Sequence, residues 1–398
     1  MKFPDICIDP KRRHEFVYLF DVTNGNPNGD PDGGNMPRID PETNHGLVTD
    51  VALKRKVRDY VSLTQQDKEG YKIFIQSQAA LNTLILQAFR DVGIEAPQIE
   101  INKDDAELIE WLKEKAPEEV FELDEDNQKL TYLGTSTSKK DISKSFMQDL
   151  ERADIPKDIP AKLGDIATEI AKIAKGKKIS KGKRDEARQR MCKDYYDIRM
   201  FGAVLSTGLN AGQVRGPLQF TFAQSRDPVY PRDLSITRKA ITKASDMAEK
   251  ETEMGRKPLV HYGLYLAQGF YNNFLGAGPQ GTGVVEKDLE LLWEALGELF
   301  TYNRSASKGL MACRGLYVFS HGCEKGNAPA HKLFERIKVE KLLNDKEKPP
   351  RAFSDYEVKP DLSELKAGDA SVRIVDASEV KKGGDLKDRV VLTRLFEG

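Results

Sequence analysis

The sequence predicts an α+β protein with a ferredoxin-like core, and three observations predict it. Apolar, β-forming runs recur at Phe16–Phe20, Leu218–Ser225, His261–Phe270 and Gly315–Ser320. Amphipathic helical patterns stand after the first run and before the last, at about 50–63 and 288–300. With residues 98–190 set aside, the order is strand, long loop, helix, then strands, helix, strand, which is compatible with a βαββαβ unit.

The elements follow in order. FVYLF, Phe16 to Phe20, is an uninterrupted apolar run and reads as a buried strand. Val22 to Gly46 is dominated by Gly, Asn, Asp and Pro and reads as one long loop, a length that is usually functional. Thr49 is a candidate N-cap for a helix from Asp50 to Leu63. Leu53, Val57 and Tyr60 or Val61 give that helix one apolar face, and Lys54, Arg55, Lys56 and Arg58 take the remaining surface. Tyr71 to Ser77 alternates like a strand, and Leu81 to Val92 reads as a helix.

Composition then shifts. Glu100 to Asp126 is strongly acidic and Lys172 to Arg190 strongly basic, so 98–190 reads as an inserted, mostly helical segment. The globular pattern resumes at Cys192. Residues 226–257 are polar and of mixed charge, as is the tail from 341 to 398, which has no clear periodicity.

Across 398 residues, 62 Lys and Arg oppose 63 Asp and Glu, giving a net charge of −1. That excludes a uniformly basic nucleic-acid binder but not a local basic face. No apolar run approaches the roughly 18 residues of a membrane span, and Met1 to His14 holds no apolar stretch of a signal peptide. Four cysteines without a CxxC pair suit reduced thiols, so a cytoplasmic location is expected.

Several motifs fail on their own chemistry. GAGPQG, Gly276 to Gly281, matches GxGxxG, but no parallel βαβ unit surrounds it and YNNFL breaks the tight turn. The loop from Asn24 has Asn35 where a calcium loop needs a bidentate Glu. Cys313, His321, Cys323 and His331 have no zinc-finger spacing. No GxSxG elbow or Walker A sequence is present. No cofactor or metal is therefore expected.

Two features remain. The first is the loop, where Asn24, Asn26 and Asn28 and the glycine amides can hydrogen-bond phosphate and sugar. The second is ALKRKVR, the basic helix that this loop feeds, whose N-terminal amides also favour anions. Lys54 and Arg58, at i and i+4, would share a face with Arg55 beside them. The βαββαβ order is also the architecture of RNA-recognition modules.

The run FDVTNGNPNGDPDGGNMPRIDPETNHGLVTDVALKRKVRDYV closely resembles the opening of the CRISPR-associated backbone subunit of type I-C Cascade. The likeness continues in YDIRMFGAVLSTGLNAGQVRGPLQFTFAQSRDPVYPRDLSITR, in MGRK with HYGLYLAQGF, in DLELLWEAL, and in NRSASKGLMACRGLYVFSHGCEKGNAPAHKLF. These blocks cover most of 14–97 and 191–340. The insertion, the longer tail and the Gly-rich segment 276–283 depart from the pattern.

The resemblance implies an RNA-recognition-like palm over 14–97, 191–225 and 258–340, a β-hairpin thumb at 226–257, the helical insertion at 98–190 and a tail at 341–398. It implies a non-catalytic, cytoplasmic subunit that polymerises helically along CRISPR RNA, each thumb reaching the neighbouring copy. Target DNA pairs with the guide, other Cascade subunits join, and a separate helicase-nuclease is recruited. Arg38, Arg215, Arg304 and Arg314, beside Gly or Pro or within the matched blocks, join Asn24, Asn26, Asn28, Lys54, Arg55 and Arg58 as candidate RNA contacts. The alternative is an RNA-cleaving subunit of type III kind, using Asp30 or Asp32 in the 22–46 loop.

Overall fold

The computed structural model describes residues 2–77, 80–124, 126, 128–147, 155–176, 179–206, 209–239, 253–345, 347–367, 370–381 and 384–397. The chain packs as two compact units, Met1–Lys68 with Gly216–Gly398, and Glu69–Arg215.

The first unit is built on β1 (His14–Gly25), which is buried on both faces through Val22. Its partners are distant in sequence. β6 (Glu253–Tyr271) pairs with it antiparallel from His14↔Tyr271 to Gly25↔Val260. β7 (Leu310–His321) pairs on the other side, from His14↔Ser320 to Thr23↔Leu310, with a register shift at Leu19/Phe20. Outside β6 lies β4 (Ala223–Pro228), then β2 (His45–Val48) at the edge. The short β3 (Leu218–Phe220) also pairs with β6.

The inner four strands thus run β7-β1-β6-β4. In chain order they alternate with α1 (Asp50–Thr64) and α2 (Glu286–Tyr302) as strand, helix, strand, strand, helix, strand. α2 lies on the face presented by Phe16, Tyr18 and Phe20. Phe16 meets Trp293 edge-on at 5.2 Å, Phe20 meets Phe300 at 5.3 Å, and the Tyr18 hydroxyl donates to the Leu296 carbonyl at 2.7 Å. Each buried ring of this kind contributes about 1.5–3 kcal/mol.

Val17 and Leu19 face the opposite way, into a core completed by the tail. Phe319, Leu333, Phe334 and Ile337 pack there with Leu365, Val372, Ile374, Val390 and Leu392. The tail is therefore ordered sheet where its sequence showed no pattern. β8 (Ile337–Lys341) and β9 (Tyr356–Pro360) form a two-stranded ribbon. β10 (Leu365–Ala367), β11 (Ala370–Asp376) and β12 (Arg389–Leu395) extend the main sheet beyond β7. Its apolar positions alternate over strands too short for a periodicity to stand out among the charges.

Residues 226–257 contain one arm of a hairpin and the start of the other. β5 (Arg232–Arg238) pairs with the start of β6 from Arg232↔Leu259 to Arg238↔Glu253. Seven residues at about 3.3 Å each carry this arm about 23 Å beyond the sheet. The proposed tip, 240–252, lies outside the described residues. No helix among the described residues is long and apolar enough to cross a membrane.

The second unit has two cores. Helices Leu81–Asp91, Lys181–Asp194 and Tyr196–Phe201 and the strands Gly202–Leu205 and Gly212–Arg215 enclose Phe74, Phe89, Met191, Ile198 and Val214. The other core gathers Trp111, Phe121, Phe146 and Ile166, with the Phe121 and Phe146 rings stacked at 3.8 Å. It includes a three-stranded sheet, Gln98–Glu100, Lys129–Tyr132 and Phe121–Asp124, beside helices Ala106–Lys115, Lys139–Phe146 and Ile159–Gly176. Tyr71–Ser77 is not a strand. The backbone amides of Phe74 and Ile75 donate instead to the buried Asp197 carboxylate, at 2.8 and 3.1 Å.

Candidate nucleic-acid interface

The segment read as one long loop, 22–46, carries short strands of its own. β1 runs through Asn24 and Gly25, and the loop continues along the Ser305–Gly309 segment that precedes β7. The Asn26 amide donates to the Ser307 carbonyl at 2.8 Å. A Cβ at Gly25 would overlap the Lys308 carbonyl, and Gly309 sits at φ +61° against the carbonyls of Thr23 and Asn24. Two backbones approach closely here, and only glycine permits it. Short pairings, Gly29–Asp30 with Met36–Pro37, subdivide the rest of the loop.

The loop is also tied to α1. Asn28 Oδ1 accepts from the backbone amide and the hydroxyl of Thr49, at 2.9 and 3.0 Å. Thr49 in turn caps α1, its hydroxyl accepting from the Ala52 amide at 3.3 Å. The expected N-cap is thus present, and a loop asparagine holds it. Asn26 Nδ2 donates to the Asn35 carbonyl at 2.7 Å, and Asn24 Oδ1 stands 3.1 Å from His261 Nδ1 on β6.

Between loop and helix lies a cavity of about 270 Å³ lined by Asn26, Asn28, Arg55, Lys56, Asn303 and Lys308, among others. Lys56 Nζ donates to Asn303 Oδ1 at 3.0 Å, and Lys308 Nζ donates to the same oxygen. Asn303 Nδ2 donates to Asp59, whose other oxygen takes Arg55 Nε at 2.7 Å. Three cations and one carboxylate therefore line the space. Burial against Phe300, with Lys308 as neighbour, pushes the Lys56 ammonium down to about 7. A second anionic group would relieve both lysines at once.

The structure brings Asn24, Asn26, Asn28 and Arg55 to this end of the sheet, with Arg304 exposed one residue beyond Asn303. The other candidates are placed elsewhere. Lys54 turns to Asp50 and Gln219, at 3.0 and 3.1 Å. Arg58 is only 9% exposed and Lys56 4%, so the α1 surface is not the open basic face its sequence suggests. The helix is covered on that side because α2 packs beside it, Tyr60 meeting Tyr302 at 5.6 Å. Arg314 pairs with the buried Asp21 at 2.9 Å, and Arg38 with Asp30 at 3.3 Å. Arg215 belongs to the second unit.

Lys56, Asn303, Lys308 and His261 were missed. Lys308 carries a sequence signal, SKG immediately before a strand, but its convergence on Lys56 needs the β1–β7 pairing.

The excluded motifs have structural uses. Asp30 accepts from the Asp32 amide besides pairing with Arg38, which is turn chemistry. His321 spends both nitrogens, on Glu15 and on the Asn327 amide, and no metal-holding group occurs among the described residues. The Gly276–Gly281 segment closes on itself, the Gly281 amide donating to the Gly278 carbonyl, and Asp288 caps α2 by accepting from the Val285 amide at 2.9 Å.

Fold and cavity define an α+β sheet protein with a projecting hairpin and a lysine-lined cleft at one sheet end. Residues 12–361 match the family model described as CRISPR-associated protein Cas7, and the chain belongs to that family. A curated CRISPR-associated protein Cas7 from Haloferax volcanii is 36% identical over 80 residues, which span 20% of this chain and 22% of that protein. Two solved structures are similar over 77% of this chain. One, a CRISPR RNA-guided surveillance complex in a pre-nicking state, is 14% identical over 78% of its chain with a TM-score of 0.38. The other, a CRISPR RNA-guided surveillance complex, is 13% identical over 75% of its chain with a TM-score of 0.32.

Proposed function

We propose that this chain is the RNA-coating backbone subunit of an RNA-guided surveillance complex of the type I-C kind. Copies line up along CRISPR RNA and hold it for pairing with target DNA, without cutting either strand. Other subunits of the complex and, indirectly, a helicase-nuclease complete the assembly in the cytoplasm. The inner strand order supports a ferredoxin-like palm for this role, with the β5–β6 hairpin as thumb. On this reading the palm draws on the sheet of the first unit, and the 98–190 segment is peripheral to RNA.

The observation that carries the reading is the convergence of Lys56 and Lys308 on Asn303 Oδ1 beside the Asn26–Asn28 loop. Two ammonium groups sharing one neutral acceptor form a site for an anion. Phosphate is the anion every guide offers whatever its sequence, so the grip stays independent of the stored spacer. A few such contacts per copy suffice, because binding multiplies along the strand. That reconciles an RNA-coating role with a net charge of −1.

The test is electron microscopy and gel shift of the chain co-expressed with CRISPR RNA. Regular filaments whose length follows that of the RNA are expected. Binding of single copies without length-dependent assembly overturns the proposal.

A further inference from the structure

All seven residues of β5 are exposed, so no core contact along that arm holds its direction. The angle at which the hairpin leaves the sheet is set at its base, where β4 ends at Asp227 and Pro228. On one side of that base is a cavity of about 320 Å³, lined by Tyr230, Arg232, His261, Pro349 and Arg351 among others. Space of that size leaves the base room to swing unless something restrains it.

The restraint comes from the tail. Lys341 and Tyr356 face each other across the end of the β8–β9 ribbon. Both reach Asp227. The Tyr356 hydroxyl donates to Oδ2 at 2.5 Å, and the Lys341 ammonium stands 3.5 Å from Oδ1. Burial and the Asp227 carboxylate push the Tyr356 phenol above its ordinary range, so it remains a donor. A hydrogen bond to an ionised carboxylate is roughly twice as strong as a neutral one. The ribbon is itself anchored. Val339, Phe353 and Tyr356 pack on Tyr262 and Leu264 of β6. The Phe353 ring lies 5.1 Å from the Arg314 guanidinium, which pairs with Asp21, and Asp21 accepts from the Tyr262 hydroxyl at 3.2 Å.

We propose that β8–β9 is a brace that fixes the hairpin's angle on the sheet, with Tyr356 and Lys341 as positioning residues acting through Asp227. Its consequence for assembly rests on the RNA-coating reading: the angle then sets the spacing between neighbouring copies.

The test uses the full chain without RNA, carrying nitroxides on unnatural amino acids at positions 235 on β5 and 287 on α2, both exposed. Pulsed dipolar spectroscopy on the parent is expected to give one narrow distance distribution. Tyr356→Phe, which removes one hydroxyl, and Asp227→Asn should each broaden it at least twofold, while Lys341→Arg, which keeps the cation facing Asp227, should leave the parent width unchanged. A distribution that stays narrow in Tyr356→Phe overturns the brace, and that variant decides the matter if Asp227→Asn fails to fold. On CRISPR RNA, the Tyr356→Phe chain should bind with unchanged single-copy affinity but with irregular spacing in micrographs. Regular spacing from a broadened hairpin overturns the link to assembly. A parent chain that ignores RNA overturns the functional reading and leaves the free-chain result standing.

Discussion

Lys56 and Lys308 donate to a single oxygen, Oδ1 of Asn303, although Lys56 precedes that asparagine by 247 residues. The arrangement leaves two ammonium groups with one neutral acceptor in a half-closed cavity. Its electrostatics can be read from solution behaviour.

RNA affinity should fall as pH rises through 7. Free, Lys56 is held near 7 by burial and by Lys308; beside a phosphate its proton is retained to higher pH. Binding therefore takes up a proton, and affinity drops by about tenfold from pH 6 to pH 8. Gel shifts at constant ionic strength measure this, and Lys56→Met should be flat with pH. Without RNA the sign runs the other way. The unfolded chain holds the extra proton between about 7 and the ordinary lysine value of 10.5, so the free fold gains stability as pH rises through that window.

Charge reversals should separate the cleft from the covered helix face. Lys308→Glu should weaken RNA coating and reduce the salt slope of binding by about 0.7, one phosphate's worth on a single strand. Lys54→Glu, which disturbs a bond to Asp50 outside the cleft, should change affinity less than threefold. Arg58→Glu should cost about 3 kcal/mol of stability, because it reverses a charge that is 91% buried. Chemical denaturation beside salt-dependent gel shifts checks all three.

Gly309→Ala places a side chain at φ +61° against the Asn24 carbonyl. It should cost about 1–3 kcal/mol and pull the Lys308 segment away from the Asn26 loop. Thermal melts and RNA titrations should show both losses together. A stable variant with full affinity would mean the loop closure is irrelevant to binding.

Replacing residues 232–258 by a short Gly-Ser link removes the exposed β5 and its pairing partner but leaves the β1–β6 register from Val260 onward. The chain should fold, keep weak RNA binding and lose ordered arrays. Filaments as regular as those of the parent would sink the thumb assignment.

The residues that announced themselves were those whose local chemistry settles their structure. FVYLF reads as a buried strand because both faces are covered, and Thr49 reads as a cap because capping is a contact within one turn. The burial of Lys56 and Arg58 was not legible. It follows from α2 lying beside α1, a pairing made by residues more than 200 positions downstream. Asn26 and Asn28 were recognised as loop residues able to bind polar groups. That Asn28 holds the cap of α1 depends on a fold-back that turn propensities do not encode. The YKIFIQS alternation misled for a related reason: Asp197, from another element, caps its amides before any strand can claim them.

The central strand also has a consequence for how the chain is made. β1 leaves the ribosome early, yet His261 on its first partner follows Asn24 by 237 residues, and Ser320 on its second follows His14 by 306. At about 5–20 residues per second, the FVYLF segment waits roughly 12–50 s before its first neighbour exists and roughly 15–60 s before its second. During that interval a strand destined for burial on both faces has open edges and exposed rings. Co-expressed holdase chaperones should therefore raise the soluble yield, and slowing translation between β1 and residue 260 should lower it, which quantifying soluble against total chain would check.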